Sequence, residues 1–329
     1  MVREVKHVAV LGAGGLGRNM ARLLGYKREF KLVAICDKGG YAFDEAGISA
    51  DLISSLPAGT SVATLPKIGV PSSDAIGDLM AKRDAIDGIF VALPNLPNEA
   101  IPQTVERIAA SGFRGVMVDA LKRTRAVELM LALRDKLAAA QITYITGAGA
   151  TPGLLTAAAA LAAQSFVEIE SVEIYFGVGI ANWDAYRATI REDIAHLEGF
   201  SVEKVAQMTD EEIEQELEKR NGILELVNME HADDVMLEVA GVVDRSKVKV
   251  GGIVDTRNPK KPVSTNVKIT GITFEGKRST HTFILGDETS MAANVNGPAL
   301  GYMKTGFWLQ EHGIYGLFTS AELMPRFPR

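Results

Sequence analysis

Apolar and polar positions along this chain follow two rhythms. Up to Thr146, short continuous apolar runs alternate with segments whose apolar residues recur every three or four positions. Val8 to Leu11, Lys31 to Cys36, Asp87 to Leu93, Gly115 to Val118 and Ile142 to Thr146 are runs of the first kind, and they predict strands buried on both faces. Arg18 to Leu24, Ala50 to Leu56, Ser73 to Met80, Glu99 to Ser111 and Arg125 to Ala139 are of the second kind and predict helices. Ser61 to Leu65 reads as a brief strand, and Lys38 to Gly47 as a loop with three glycines. Strands alternating with helices predict right-handed crossovers and a parallel sheet. Ligands bind such sheets beyond the carboxyl ends of the strands, so Gly12, Asp37, Pro94, Asn95, Asp119 and Gly147 are the strand-end residues that matter.

After Thr146 the rhythm changes. Gly147 to Gly153 contains four Gly or Pro residues and breaks the pattern; it predicts a hinge, with Pro152 suited to the first turn of a helix from Leu154 to Gln164. Glu168 to Gly177 alternates apolar and charged residues, the pattern of an antiparallel strand with one wet face. Asp184 to Leu197 and Thr209 to Arg220 read as helices, the second opening on the capping-box spacing Thr209 and Glu212. Val235 to Val243, Lys247 to Val254, Val263 to Phe274 and Lys277 to Gly286 alternate like strands, with Glu275-Gly276 as a hairpin turn. Ser290 to Thr305 and Phe307 to Glu311 return to helix. The fold expected is α/β: an N-terminal Rossmann domain, that is, a doubly wound parallel sheet, over 1–150, completed by about 288–329. An inserted α+β domain with a mixed or antiparallel sheet is expected over 151–287, as a substrate and dimerisation domain. A C-terminal helix returns to the Rossmann domain.

One junction carries chemistry. The run Val8 to Leu11 enters Gly12-Ala13-Gly14-Gly15-Leu16-Gly17, which opens a helix. Gly12 permits the tight turn, Gly14 lets a pyrophosphate approach the backbone, and Gly17 lets helix and strand pack closely. Ala13, Gly15 and Leu16 complete the cradle, where the helix N-terminus offers free N–H groups and partial positive charge. Asp37, twenty residues past Gly17 at the end of the second run, stands where a carboxylate reaches the adenosine ribose. This points to a nicotinamide dinucleotide, with NAD favoured because a carboxylate disfavours a 2′-phosphate; the adjacent Lys38 keeps NADP open.

Composition narrows the class. The 329 residues exceed one compact core, and 47% apolar with 23% charged residues is ordinary for a globular protein. A net charge of −6 argues against nucleic acid as partner. The single cysteine, Cys36, excludes an internal disulfide and reads as a buried strand residue. No signal peptide is seen, and the longest apolar stretch, Leu154 to Ala163, is too short to span a bilayer. The expectation is a cytoplasmic enzyme of a small molecule, without membrane partner, assembled as a homodimer.

Three stretches together resemble the saccharopine dehydrogenase (reductase) family. They are the first strand with Gly12, Gly14 and Gly17; Gly147 to Leu154 with its Pro152-Gly153 turn; and the tail from Thr289-Ser290-Met291-Ala292 through Gly313-Ile314-Tyr315-Gly316-Leu317-Phe318. The resemblance implies an NAD(P)-dependent reductase with a Rossmann domain and an inserted α+β domain, forming or splitting secondary amines that carry carboxylates. Asp184 to Arg220 departs from the family pattern.

Hydride transfer to an imine carbon needs a positioned nicotinamide, a proton source and cations for carboxylates. Pro94, Asn95 and Asn98 are candidates beside the nicotinamide, and Gly147 and Thr151 beside its ribose or the substrate. Asp119 and Lys122 are the catalytic candidates, Lys122 as proton donor. Arg187 and Arg191, four apart on one helix face, can clamp a dicarboxylate or pair with nearby acids. The cluster Asn182-Trp183-Asp184-Tyr186 precedes them. His196, His231 and His312 have no companions at metal-ligand spacing, so no metal is expected. Two further readings stand beside the leading one: another small-substrate dehydrogenase of homoserine or diaminopimelate type, and a dinucleotide-binding sensor or assembly protein without catalysis.

Overall fold

A computed structural model describes residues 3–57, 59–95, 97–180 and 186–329. The chain runs β1 (Lys6–Leu11), α1 (Gly15–Leu24), β2 (Phe30–Asp37), β3 (Gly40–Phe43), α2 (Ala50–Ser54), β4 (Gly69–Pro71), α3 (Ala75–Met80), β5 (Gly88–Val91), α4 (Ala100–Ala110), β6 (Val116–Asp119), α5 (Thr124–Leu131), α6 (Arg134–Ala139) and β7 (Thr143–Thr146). It continues through α7 (Leu154–Ala162), β8 (Glu168–Gly179), α8 (Arg187–Ala195), α9 (Val202–Gln207), α10 (Asp210–Lys219), β9 (Ile223–Leu226), α11 (Asp233–Val239), β10 (Val248–Asp255), β11 (Asn266–Ile272) and β12 (Arg278–Ile284). It ends with α12 (Met291–Glu311) and β13 (Gly316–Thr319). Two compact units result: Met1–Leu154 with Ala292–Arg329, and Leu155–Met291.

The first unit is built on an eight-stranded sheet of order β13-β7-β6-β5-β1-β2-β3-β4. From β13 to β2 all neighbours are parallel. Residues Val8 to Leu11 are fully buried because strands in the middle of such a sheet are covered on both faces. The chain builds outward from β1 in one direction through β2, then returns and builds outward through β5 in the other. The switch point lies between β1 and β5. Core helix α12 closes the layer: Ala299, Leu300, Tyr302, Met303 and Phe307 are buried in one cluster with Val10, Phe90, Val116 and Ile145. Gly306 permits this approach, since a Cβ there would stand 2.5 Å from Val116 Cγ1. The second unit carries a five-stranded mixed sheet, β12-β11-β8-β10-β9, in which β8 pairs parallel with β10 and antiparallel with β11. The α/β class, the mostly parallel Rossmann-like sheet and the separate mixed sheet are thus as expected.

Several elements differ from the pattern-based expectation, each for a local reason. Within the expected loop Lys38 to Gly47, β3 pairs antiparallel with β2 across a Lys38-Gly39 turn, Asp37 facing Gly40. Ser61 to Leu65 is a short 3₁₀ turn at Val62–Thr64, because the Ser61 hydroxyl caps the Ala63 N–H. Val235 to Val243 holds helix α11 rather than a strand; Asp233 and Asp234 in its first turn and Gly241 at φ +69° beyond its end outweigh the apolar alternation. The expected helix Arg125 to Ala139 is split into α5 and α6 by a tight Leu133 N–H to Met130 carbonyl bond. The two C-terminal helices are one, α12, and β9, α9 and β13 were not anticipated. The capping box is present at Thr209 and Glu212, and the β11–β12 hairpin turns at Gly276, φ +74°. Among the described residues no helix is long and apolar enough to cross a membrane.

Candidate functional site

The loops after β1, β2, β5, β6 and β7 all lie at the carboxyl ends of parallel strands of the first unit. The glycine turn is built as the spacing demands. Gly12 sits at φ +106°, and a Cβ there would stand 2.3 Å from the Ala92 carbonyl oxygen at the end of β5. A Cβ on Gly17 would stand 1.8 Å from the Gly12 carbonyl oxygen, so helix and strand meet with no room for a side chain. Gly14, at the N-cap of α1, is different: a Cβ there meets nothing within 4 Å. The space is open where an anion would approach the first-turn N–H groups, which have no partner within the helix. No acidic residue stands in that first turn to repel a phosphate. This cradle fits a dinucleotide pyrophosphate. Arg18 braces the turn, donating from Nε to the Ala13 carbonyl and from its two terminal nitrogens to the Leu56, Pro57 and Thr60 carbonyls. Its spacing from the glycines gave no sign of this role.

Asp37 is placed at the end of β2 but is occupied. Its Oδ1 accepts from Gly39 N (2.8 Å) and Ser61 Oγ (2.6 Å), and its Oδ2 from Val62 N (2.8 Å). A carboxylate offers about four acceptor positions, so one remains on Oδ2. Lys38 is exposed in the adjoining turn.

On the other side of the switch point, Pro94 is exposed and Asn95 half-buried after β5. Asn98 accepts a hydrogen bond at Oδ1 from Arg123 Nε, 3.0 Å, which ties the β5 loop to the β6 loop. Arg123, a buried arginine missing from the sequence reading, stands beside Lys122, itself half-buried. Asp119 is the anchor of this region rather than a group open to a ligand. It is fully buried. Its Oδ1 accepts from Gly147 N (2.7 Å) and Leu121 N (3.0 Å), its Oδ2 from Tyr144 OH (2.8 Å), and the Thr146 hydroxyl reaches both oxygens. Burial pushes its carboxyl above the usual carboxylate range, while these N–H and O–H donors pull it down. Expected as a catalytic group, Asp119 here fixes the loop that carries Lys122 and the turn at Gly147, φ +64°. Thr151 is half-buried and precedes a cis Pro152 in the turn leading to α7.

Of the two readings of the arginine pair, the structure shows pairing with an acid of the chain. In the second unit, Arg187 and Arg191 do share one carboxylate, but it is the chain's own Asp210. Arg191 holds it at 2.6 Å and also donates to the Val205 and Met208 carbonyls, 3.1 and 2.9 Å away. The partner lies nineteen to twenty-three residues on, beyond the near acids the sequence pointed to. Of the aromatic and polar cluster before them, Asn182, Trp183 and Asp184 lie outside the described residues. The second unit also holds a buried group that the sequence reading passed over: His231 Nδ1 lies 2.7 Å from Asp233 Oδ2, and Thr156 donates to the other oxygen. The His-x-Asp spacing was the available signal; a search for metal-ligand spacing does not find it. Among the described residues no three His, Cys, Asp or Glu side chains gather as a metal site.

No protein-family model matches the chain. The (S)-8-amino-7-oxononanoate synthase BioU of Haloferax mediterranei is 44% identical, over 97% of this chain and 98% of its own. Among solved structures, an engineered D-amino acid dehydrogenase bound to NADP+ superposes with a TM-score of 0.59 at 16% identity, covering 97% of this chain and 94% of that one. The C. glutamicum DAP dehydrogenase in complex with DAP gives 0.57 at 17%, covering 98% and 95%. The saccharopine dehydrogenase (L-Glu forming) of Saccharomyces cerevisiae gives 0.54 at 12%, covering 96% and 94%. At these identities the three structures establish the fold alone, which is that of dehydrogenases and is the fold the resemblance implied, whereas the 44% identical relative is a synthase and not a saccharopine dehydrogenase.

Proposed function

The chain belongs to the family of the (S)-8-amino-7-oxononanoate synthase BioU, and from that premise we propose that it is a nicotinamide-dinucleotide-dependent oxidoreductase acting at the amino-ketone end of this nine-carbon acid. The observation that carries the cofactor is the glycine turn: open space at Gly14, no room at Gly12 and Gly17, and no acid in the first turn of α1. The compound's name gives its groups, a carboxylate, a ketone at carbon 7 and an amine at carbon 8. A ketone is what water leaves when it hydrolyses a C=N bond, with the nitrogen departing as an amine. Such a bond forms when a carbon bearing nitrogen gives up a hydride and the nitrogen a proton. When bound, the nicotinamide supplies the acceptor, or in the reverse direction the donor, of that hydride.

This is the reaction class implied by the saccharopine-type resemblance, redox chemistry at a carbon that carries nitrogen, on a substrate that carries a carboxylate. Lys122 is the proposed proton carrier at that nitrogen. Asp119 acts through it by holding Leu121, one residue away, at 3.0 Å. Arg123, buried and bonded to Asn98, supports the same loop. The carboxylate of Asp37 opposes a 2′-phosphate, which favours NAD over NADP.

The test has two stages. Titration of the protein with NADH and NADPH, followed by dinucleotide fluorescence, is expected to show binding, tighter for NADH. Incubation with (S)-8-amino-7-oxononanoate, a primary amine and NADH is then expected to oxidise the dinucleotide only when the keto acid is present. Lys122→Ala is expected to abolish that change while NADH still binds. A protein that binds neither dinucleotide, or leaves it unchanged with the keto acid, overturns the reading.

A further inference from the structure

Helix α12 brings one polar side chain to the glycine turn from the far end of the sequence. Asn296 is 2% exposed, and its Nδ2 donates to the Leu16 carbonyl in the first turn of α1 at 3.2 Å. That carbonyl decides which end of the amide is which, because only the NH₂ end can donate to it. The other end, Oδ1, is buried with no hydrogen-bond partner among the described residues. Buried acceptors are nearly always satisfied, so one left orphaned beside a binding loop calls for a ligand. Both residues belong to the first unit.

The chemistry of Oδ1 narrows what that ligand offers there. An amide oxygen only accepts, and a pyrophosphate at neutral pH only accepts, so the two cannot be partners. The donors of a nicotinamide dinucleotide are its ribose hydroxyls and the amino groups of its two bases. Position separates the two halves. The residue before Asn296, Val295, packs on the nicotinamide side of the switch point. A Cβ built on Gly149, in the β7 loop, would lie 3.4 Å from Val295 Cγ1 and 3.5 Å from Ala120 Cβ, in the β6 loop. At Val295–Asn296, helix α12 therefore meets α1 through Asn296 and the β7 loop through Val295, on the far side of β1 from Asp37.

We propose that Asn296 is a cofactor-binding residue whose Oδ1 accepts a hydrogen bond from the nicotinamide riboside half of the dinucleotide, while its Nδ2 locks the glycine turn. This rests on the dinucleotide reading given under Proposed function.

The test is equilibrium binding by calorimetry to the full chain, unmutated and as Asn296→Ala and Asn296→Leu, with NADH, ADP-ribose and ADP as probes. Ligand-free thermal melts show that the variants fold; the leucine variant keeps the volume if alanine destabilises the helix. Loss of the hydrogen bond at Oδ1 is expected to weaken NADH about tenfold more than ADP, whose own change reads the loss of the Nδ2 contact with the glycine turn. If ADP-ribose weakens alongside NADH, the donor is a ribose hydroxyl; if only NADH weakens, it is the carboxamide. NADH bound equally well by all three proteins overturns the proposal and leaves the dinucleotide reading intact. Equal weakening of ADP also overturns it, since Asn296 then only shapes the pyrophosphate turn. An unmutated protein that binds no NADH overturns both.

Discussion

Gly14 and Gly17 look alike in the sequence and do opposite work in the fold. A side chain at Gly17 collides with the Gly12 carbonyl, whereas one at Gly14 enters empty space. Gly14→Val is therefore expected to fold with a melting temperature near that of the unmutated protein and to lose NADH binding. Gly17→Val is expected to lower the melting temperature, at a cost of about 1–3 kcal/mol or more for an overpacked contact against unyielding backbone. Melting curves with and without NADH read both. A folded Gly14→Val that binds NADH with unchanged affinity removes the pyrophosphate from this turn. Cys36 gives a prediction in pH. Burial pushes its thiol up to about 11, Asp37 adds to the rise, and the Gly12 N–H opposes it. Unfolded, the thiol loses its proton at an ordinary value, so above it the native state binds more protons than the unfolded state. The stability tied to the neutral thiol is thus full below about pH 9 and lost as pH rises towards about 11, a span of about 2–3 kcal/mol. The stability difference between the unmutated protein and Cys36→Ala is expected to shrink over that window; a constant difference refutes it. What the sequence could not show at this scale is occupancy. Asp37, Asp119 and Arg191 stand where spacing put them, but their hydrogen-bonding positions are largely filled by groups distant in sequence.

At the scale of elements, runs buried on both faces were legible and short pieces bounded by side-chain caps were not. β1, β2, β5, β6 and β7 are short, largely apolar runs buried on both faces, which have no alternative home. The 3₁₀ turn at Val62–Thr64, by contrast, exists because Asp37 and Ser61 satisfy its N–H groups, a fact no local pattern records. Helix α11 shows two local signals in competition, with the acids at its start prevailing over alternation. Asp119 joins elements in the same way as Asp37. It ties the end of β6 to the end of β7 through Tyr144, Thr146 and Gly147, and the loop towards Lys122 through Leu121. Asp119→Ala leaves these buried donors without an acceptor, so a loss of about 3–5 kcal/mol is expected. Asp119→Asn keeps the shape and part of the acceptor capacity and is expected to cost less. Urea unfolding of the two variants measures this. If Asp119→Ala is as stable as the unmutated protein yet inactive, Asp119 acts on substrate and its assignment as an anchor is wrong.

At the scale of the whole molecule, the glycine turn at the N-terminus depends on the last thirty-eight residues, 292–329, of the first unit. Five apolar residues of α12, Ala299, Leu300, Tyr302, Met303 and Phe307, lie in the same buried cluster as β1, β5, β6 and β7 residues. The pair Lys304–Glu29, at 2.7 Å, fastens α12 next to the start of β2. β13 covers the edge of the sheet beside β7 through Gly316 to Thr319. The repeat of apolar residues in α12 was readable as helix, but its place was not, because nothing local says which of two cores a helix joins after 137 intervening residues of the second unit. Burial of the four large side chains alone is worth about 6–12 kcal/mol by transfer, comparable to the entire stability of a domain of this kind. A chain ending at Met291 is therefore expected to keep every glycine of the motif and still bind no NADH. It is also expected to show a first unit that has lost its cooperative melting transition and binds a hydrophobic dye. Calorimetric titration and dye fluorescence on residues 1–291, beside the full chain, check this. Native NADH affinity in the shortened chain would mean that β1, α1 and their neighbours form the cradle unaided, and that α12 and β13 are additions to the fold rather than part of its core.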